Sequence, residues 1–477
     1  MKKNRLLALL LVSVMAAGMV TSCDNPVKDT AVSSETSAAV QTEPSAVPTT
    51  VTNELSGYKE LPVAEVADEH DGKILIYSYN REFAALAEKY AGITDNDYEF
   101  VEISDVDEYQ EKLDAVLANG NGAPDIFVCD AAFAKKYITS GKAIAINDLG
   151  IDYSECADMF DYTLRFASDD DGVIRGLAWK ACPCGVFYER TLAEKYLGTS
   201  DPDELAASFA SWDAVLGTAG KVNTDSEGSV KLIPGYTEIY DAFLASRSTG
   251  WLKDGEINID PDAEGLFDYA KTLYTDDLTF NAEKWSDSWN SRMSNRTVVS
   301  YWGSLQFAKY QLALNPGEGS AVNPTAGDWG ITSAPENYFS GGAWVMVSSY
   351  SGKKATAAEI IRSVCINEDN LKDMVNKGEF ANSIRLMTEA SEDDKFAFMW
   401  LGGQNPYSVL LNSALNADAS LYIVDEDKYR RSYSAVVGAY SEGAFETVDE
   451  AKDGFVEEFT EAEELDEEEQ EDDEEQD

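Results

Sequence analysis

Apolar and polar positions along residues 70–140 follow two periods in turn. Short runs dense in branched and aromatic residues at 73–78, 98–103 and 124–130 predict strands. Over 81–90, 106–117 and 132–140 the apolar positions recur every three or four residues, which predicts helices, the last stopped by Gly141. Strands alternating with helices in this way make a parallel sheet with helices on its faces. Ligands bind such sheets beyond the carboxyl ends of the strands, where Asn80, Arg81, Glu82 and Asp130 stand. Further along, Asp169-Asp170-Asp171-Gly172 predicts a hairpin turn into a strand over 173–179. Helical spacing returns at 212–220, 238–248, 263–275 and 284–294, and strand signals at 297–301 and 342–348. Helical stretches follow over 356–366 and from 370 onward, and 406–415 and 429–459 close the folded part, with no internal repeat.

The flanks read differently. Lys2, Lys3 and Arg5 precede an apolar run at 6–14 and small residues ending Val20-Thr21-Ser22-Cys23. A basic start, a short apolar run and small residues before a cut site predict a secretory signal, too short to stay as a spanning helix. Val20–Cys23 resembles the bacterial lipobox, which implies a signal peptide over 1–22 and acyl chains, palmitate among them, on Cys23. Two or three chains would hold the protein stably at the extracytoplasmic face of the cell membrane. An ordinary signal with an incidental cysteine is the alternative. Residues 23–58 are polar, aperiodic and hold one basic residue, Lys28, so they predict a disordered tether. Roughly 400 residues remain, enough for two or three domains.

The formal net charge is -50, which excludes a phosphate backbone as partner, so no nucleic acid is expected. Part of that charge is local: 15 of the 21 residues from Glu457 to Asp477 are acidic and none is basic, predicting a solvated tail over 457–477. Besides Cys23 there are cysteines at 129, 156, 182, 184 and 365. Cys182-Pro183-Cys184 is too tight for an easy disulfide, and His70 is the only histidine, so buried free thiols are expected and no metal or cofactor. One histidine also removes Ser-His-Asp and Cys-His chemistry. Asn223–Gly228 opens like a calcium loop, but Pro234 stands where the bidentate Glu is needed. A glycosidase built on two carboxylates needs no histidine and stays open.

Trp179, Trp302, Trp344 and Trp400 lie at strand ends or beside glycines. An indole face there suits the CH face of a sugar, and suits a core position equally well. Trp212, Trp285 and Trp289 fall within helical spacing and predict packing. Glu82, Asp130 and Gln404 sit in loops where they could take paired hydrogen bonds from hydroxyls.

Several segments then combine into a pattern: 124–130 with 134–142 and 146–149, Gly176–Lys180 with Gly185–Tyr188, Ser211-Trp212-Asp213, Ser300–Gly303, Gly341–Trp344 and Gly402–Pro406. Their order over residues 70–460 resembles the extracellular solute-binding proteins of bacterial ABC transporters, in the carbohydrate-type group. The resemblance implies an α/β, two-lobed periplasmic-binding-protein-like fold (type II), with a hinge between discontinuous lobes that closes over ligand. It places lobe 1 at 59–178 and 342–390, and lobe 2 at 179–341 and 391–456. Carried over by position, Asn80 and Glu82 are first-loop polar contacts, Asp130 a sugar-binding carboxylate and Trp302 a stacking aromatic. Trp179 and Trp344 lie at the two crossings, and Gln404 and Tyr407 in a late cleft loop. Cys182-Pro183-Cys184 and the acidic tail depart from the family's pattern. The implied function is capture of a sugar or oligosaccharide for an ABC permease, without catalysis. A cell-surface glycoside hydrolase and a non-transport adhesin are the competing readings.

Overall fold

The computed structural model describes residues 55–313 and 327–459, all within one compact unit. The signal segment, Cys23, nearly all of the tether and the acidic tail from residue 460 lie outside the described residues. The strands in chain order are β1 (Ile74–Ser78), β2 (Tyr98–Glu102), β3 (Ile126–Asp130), β4 (Cys184–Glu189), β5 (Leu252–Lys253), β6 (Glu256–Ile257), β7 (Ser300–Ser304), β8 (Trp329–Thr332) and β9 (Ala343–Val347).

The first sheet has the order β2-β1-β3-β9. β1, β2 and β3 run parallel, with Ile76 facing Phe100 on one side and Ile126 on the other, and β9 closes the edge antiparallel. Each parallel strand leads into a helix: Glu82–Tyr90, Val106–Asn119 and Ala131–Thr139. Helices cover both faces, so β3 is a continuous apolar run whose first four residues are all buried. Asp105 caps the second helix by accepting from the Asp107 and Glu108 amides, and Gly120 ends it at φ 78°. A Cβ at Gly120 would come within 2.5 Å of the Tyr350 ring, so packing as well as backbone demands glycine there. Tyr109 donates to the Val128 carbonyl at 2.8 Å and pins that helix to β3.

The second sheet has the order β7-β4-β8, antiparallel throughout, with β4 central and wholly buried. Helices Trp212–Asp225, Pro261–Thr275 and Glu426–Ser441 enclose its core, which contains Trp302 and Trp251. No strand was expected at β4 or β8: both are buried on two faces and show no alternation to read.

Residues 173–183 cross between the sheets. They were expected to form a strand over 173–179, but they make only single bridges, to Ser168, Val345, Ala381 and Phe339 in turn. A segment that passes a new partner every few residues never completes a ladder. The closing stretch holds two helices, Glu426–Ser441 and 448–459, broken at Gly443 with φ 84°. All five cysteines among the described residues are buried free thiols, as expected.

Candidate ligand-binding cleft

The crossing segment passes through a cavity lined by Lys180 and Cys182, by Ser304 and Gln306 at the end of β7, and by Glu379 and Phe380. The carboxyl ends of β1 and β3 converge on the same place. Lys180 is 8% exposed, and its ammonium donates to both Glu82 oxygens at 2.8 and 2.7 Å. Burial by itself depresses a lysine; here the charge and hydrogen bonds of Glu82, with Glu379 beyond, reverse the sign and hold Lys180 above its ordinary range. The Trp179 indole is buried against Phe83 and turns its N–H toward Glu82 at 3.5 Å. Asn80 accepts the Glu82 amide at 3.0 Å and so fixes the turn that presents Glu82.

Asp130 caps the helix Ala131–Thr139, accepting from the Ala132 amide at 3.0 Å. Burial raises its carboxyl to about 6, against the lowering effect of that amide; Asp427 adds to the rise and Lys180 opposes it. Tyr79 stands half-buried beside Asp130 and Glu82, edge-on to Tyr109 and Phe133, and burial drives its phenol far up.

Asp241 accepts from Ser340 at 3.0 Å and from Arg430 at 2.5 Å. Burial would raise Asp241, but Arg430 and Lys284 outweigh it and hold the carboxyl below its usual value. Lys284 donates to the Trp302 carbonyl at 2.7 Å and lies 3.6 Å from Glu238. Glu238 also accepts from the Trp289 indole at 2.5 Å and the Trp302 amide at 2.6 Å, with no side-chain exposure.

Of the eight residues expected to meet ligand, Asn80, Glu82, Asp130 and Trp179 therefore gather on one wall. The other four do not join them. The Trp302 ring is 0% exposed, lies parallel to Trp212 at 6.0 Å and belongs to the core around the second sheet. Trp344 is sealed against Phe166 at 4.1 Å and donates to the Thr163 carbonyl. Gln404 extends β8, donating to the Ile331 carbonyl at 2.7 Å and accepting its amide at 2.9 Å. Tyr407 is 0% exposed and donates to the Val375 and Glu379 carbonyls. Each has its polar atoms engaged by the protein.

Sequence reasoning missed Lys180, Tyr79, Asp241 and Arg430. It also set Trp285 aside as packing. Trp285 is 50% exposed, precedes the helix Asp287–Ser294 at φ 72°, and stands edge-on to Phe307, one residue past the cavity-lining Gln306. A bulky residue rarely adopts that backbone. The left-handed turn takes it out of the helical spacing that had predicted packing.

No curated protein matches the chain. Its fold is similar to a family 1 extracellular solute-binding protein, at TM-score 0.71 and 18% identity over 82% of this chain and 100% of that one. It is also similar to the ABC transporter associated binding protein of B. animalis subsp. lactis Bl-04 in complex with beta-1,6-galactobiose, at TM-score 0.62 and 18% identity over 83% and 98%. A third likeness is to the sugar-binding protein MalE of Xanthomonas citri, at TM-score 0.63 and 13% identity over 81% and 96%. These likenesses establish the two-lobed fold. The model of the bacterial extracellular solute-binding proteins matches residues 85–397, and the chain belongs to that family.

Proposed function

We propose that this protein captures a saccharide between its lobes and delivers it to an ABC transporter permease, without catalysing a reaction. The observation that carries this is the wall formed by Asn80, Glu82, Asp130, Trp179 and Lys180, whose carboxylates and ammonium converge at the strand ends beside the crossing. Such groups hydrogen-bond hydroxyls in pairs. Family membership and the saccharide-bound neighbours support the same reading. On this reading β1, β2, β3 and β9 make up the first lobe, near 59–178 with 342–390. β4, β7 and β8 belong to the second, near 179–341 with 391–456. Trp285 replaces Trp302 as the aromatic of the second lobe. The N-terminal motif supports a lipid anchor on Cys23 at the extracytoplasmic face. A thermal-shift screen of the full chain against oligosaccharides, with each mixture checked for cleavage, tests the reading. A melting-temperature rise with intact sugar is expected, since only ligand that prefers the folded state stabilises it. Cleaved sugar would favour a hydrolase instead, and no response to any glycan would overturn saccharide capture.

A further inference from the structure

We propose that Tyr422, presented by the turn before the helix Glu426–Ser441, is a latch that holds the two lobes closed on each other. The inference rests on the two-lobed fold and on contacts within the chain, and is independent of what the cleft binds.

Tyr422 leaves one packed body and touches another. Its own helix belongs with the second sheet: Tyr429 and Tyr433 lie in the core around that sheet, and Ile423 packs on the same core. The Tyr422 ring, however, stands edge-on to Phe166 at 5.3 Å and tilted against Phe339 at 5.2 Å. Phe166 is part of the packing of the first sheet. It stacks on Trp344 of β9 at 4.1 Å, and its carbonyl accepts from Lys135 of the helix Ala131–Thr139 at 3.3 Å. Phe339 bridges Pro183 of the crossing segment, on the wall of the cavity. One ring thus joins the second sheet's helix to the first sheet's body and to the crossing.

The turn is built to present that ring. Asp425 adopts φ 62°, a left-handed backbone uncommon outside glycine, which persists only where its surroundings hold it. Arg430 lies over the Tyr422 ring at 5.9 Å and over Tyr240 at 5.7 Å, and Asp241 fixes its guanidinium. The ring is therefore backed by a group that cannot readily yield. The same helix also packs directly on Ala131–Thr139. Parting the lobes would return the half-buried Tyr422 ring to water, together with the ring faces it covers on Phe166 and Phe339. Aromatic pairs of this kind add up to ~10-fold in an equilibrium beyond the area they bury.

The chain carries its own reporters. Cys182 lines the cavity at 6% exposure, and Cys365 is 0% exposed in the turn after the helix Lys354–Ile361. Alkylation of the full chain by iodoacetamide, with each labelled thiol located by peptide mass, measures opening at Cys182 and unfolding at Cys365. Tyr422→Ala should label Cys182 ~5-fold faster or more and leave Cys365 unchanged. Amide exchange at 304–306 and 379–380, elsewhere on the cavity wall, should quicken with it. Tyr422→Phe keeps the ring and should stay within ~2-fold of the wild type. Tyr350→Ala removes an exposed ring that packs at Gly120 of the first body, and should change neither thiol. An unchanged Cys182 rate in Tyr422→Ala would overturn the latch. So would Cys182 and Cys365 accelerating together, or Cys182 accelerating without the other two segments, since these are general and local loosening. If no sugar raises the melting temperature while Tyr422→Ala frees Cys182, saccharide capture falls and the latch stands.

Discussion

In the first lobe the parallel strands end at the cleft, and the side chains there include a carboxylate that the lobe does not pair. In the second lobe the strands run antiparallel, and the deep acids among the described residues are answered at home. Glu238 holds two N–H groups beside Lys284, and Glu189 holds Arg296, which also reaches Asp328. The difference follows from topology. Successive parallel strands deliver loops and helix N-termini to one edge, where polar groups point outward. In the antiparallel sheet the aromatic positions turn into the core, and charge enters only with its partner. On the proposed reading, one lobe recognises and the other supplies a firm jaw.

The comparison breaks most visibly at the jaw. Glu238→Ala should cost about 3–5 kcal/mol, because it leaves two buried donors without their acceptor and removes the carboxylate beside Lys284. Urea denaturation would measure this, and a loss below about 1 kcal/mol would remove the distinction between the lobes. Trp302→Ala should cost a similar ~3–5 kcal/mol through the cavity it leaves. The affinity of its folded fraction should hold; a selective loss of affinity would return Trp302 to the ligand.

At the recognising wall the effects should move from stability to binding. Lys180→Met should weaken ligand by ~10-fold or more, about 1.4 kcal/mol, by freeing Glu82 to swing from place. Titration calorimetry would reveal it.

Asp130 should show itself through pH. Its folded carboxyl titrates near 6 against an ordinary 3.8, so the folded state binds the proton more tightly than the unfolded state. Its contribution to stability is therefore present below the ordinary value and is lost as pH rises toward 6. Asp130→Asn should raise the melting temperature at pH 7 and change it little at pH 3.5. Tyr79, Glu82, Lys180 and Asp427 face the group and remain in the variant, so the difference isolates Asp130. Smallest of all, Gln404→Ala should cost about 1 kcal/mol through the β8 edge, with affinity intact.

Much of the first lobe could be read in advance, because a strand followed by a helix changes period at the strand-end loop. Asn80, Glu82 and Asp130 were placed at the strand ends in that way. Lys180 was not, although a lysine between Trp179 and Ala181 in a buried run implies a carboxylate partner elsewhere in the chain. The second lobe hid more. β4 and β8 are buried on both faces, so nothing alternates. Sequence spacing sets Trp302 at a strand end and Trp285 in a helix, whereas the buried strand around one and the left-handed turn at the other put the first in the core and the second at the surface. Gln404 sits in a Gly-Gly loop that suggests a ligand contact, yet the loop folds back and the amide completes a strand edge.

The central claim is that ligand is gripped between the strand ends of the first lobe and the facing second lobe. Hydrogen exchange of the full chain, with and without a glycan that raises its melting temperature, tests this most directly. The account predicts slowed exchange at 79–83, 130–133 and 179–185, together with 422–430 on the opposing lobe. Protection confined to one lobe, or absent from the first three segments, would contradict it.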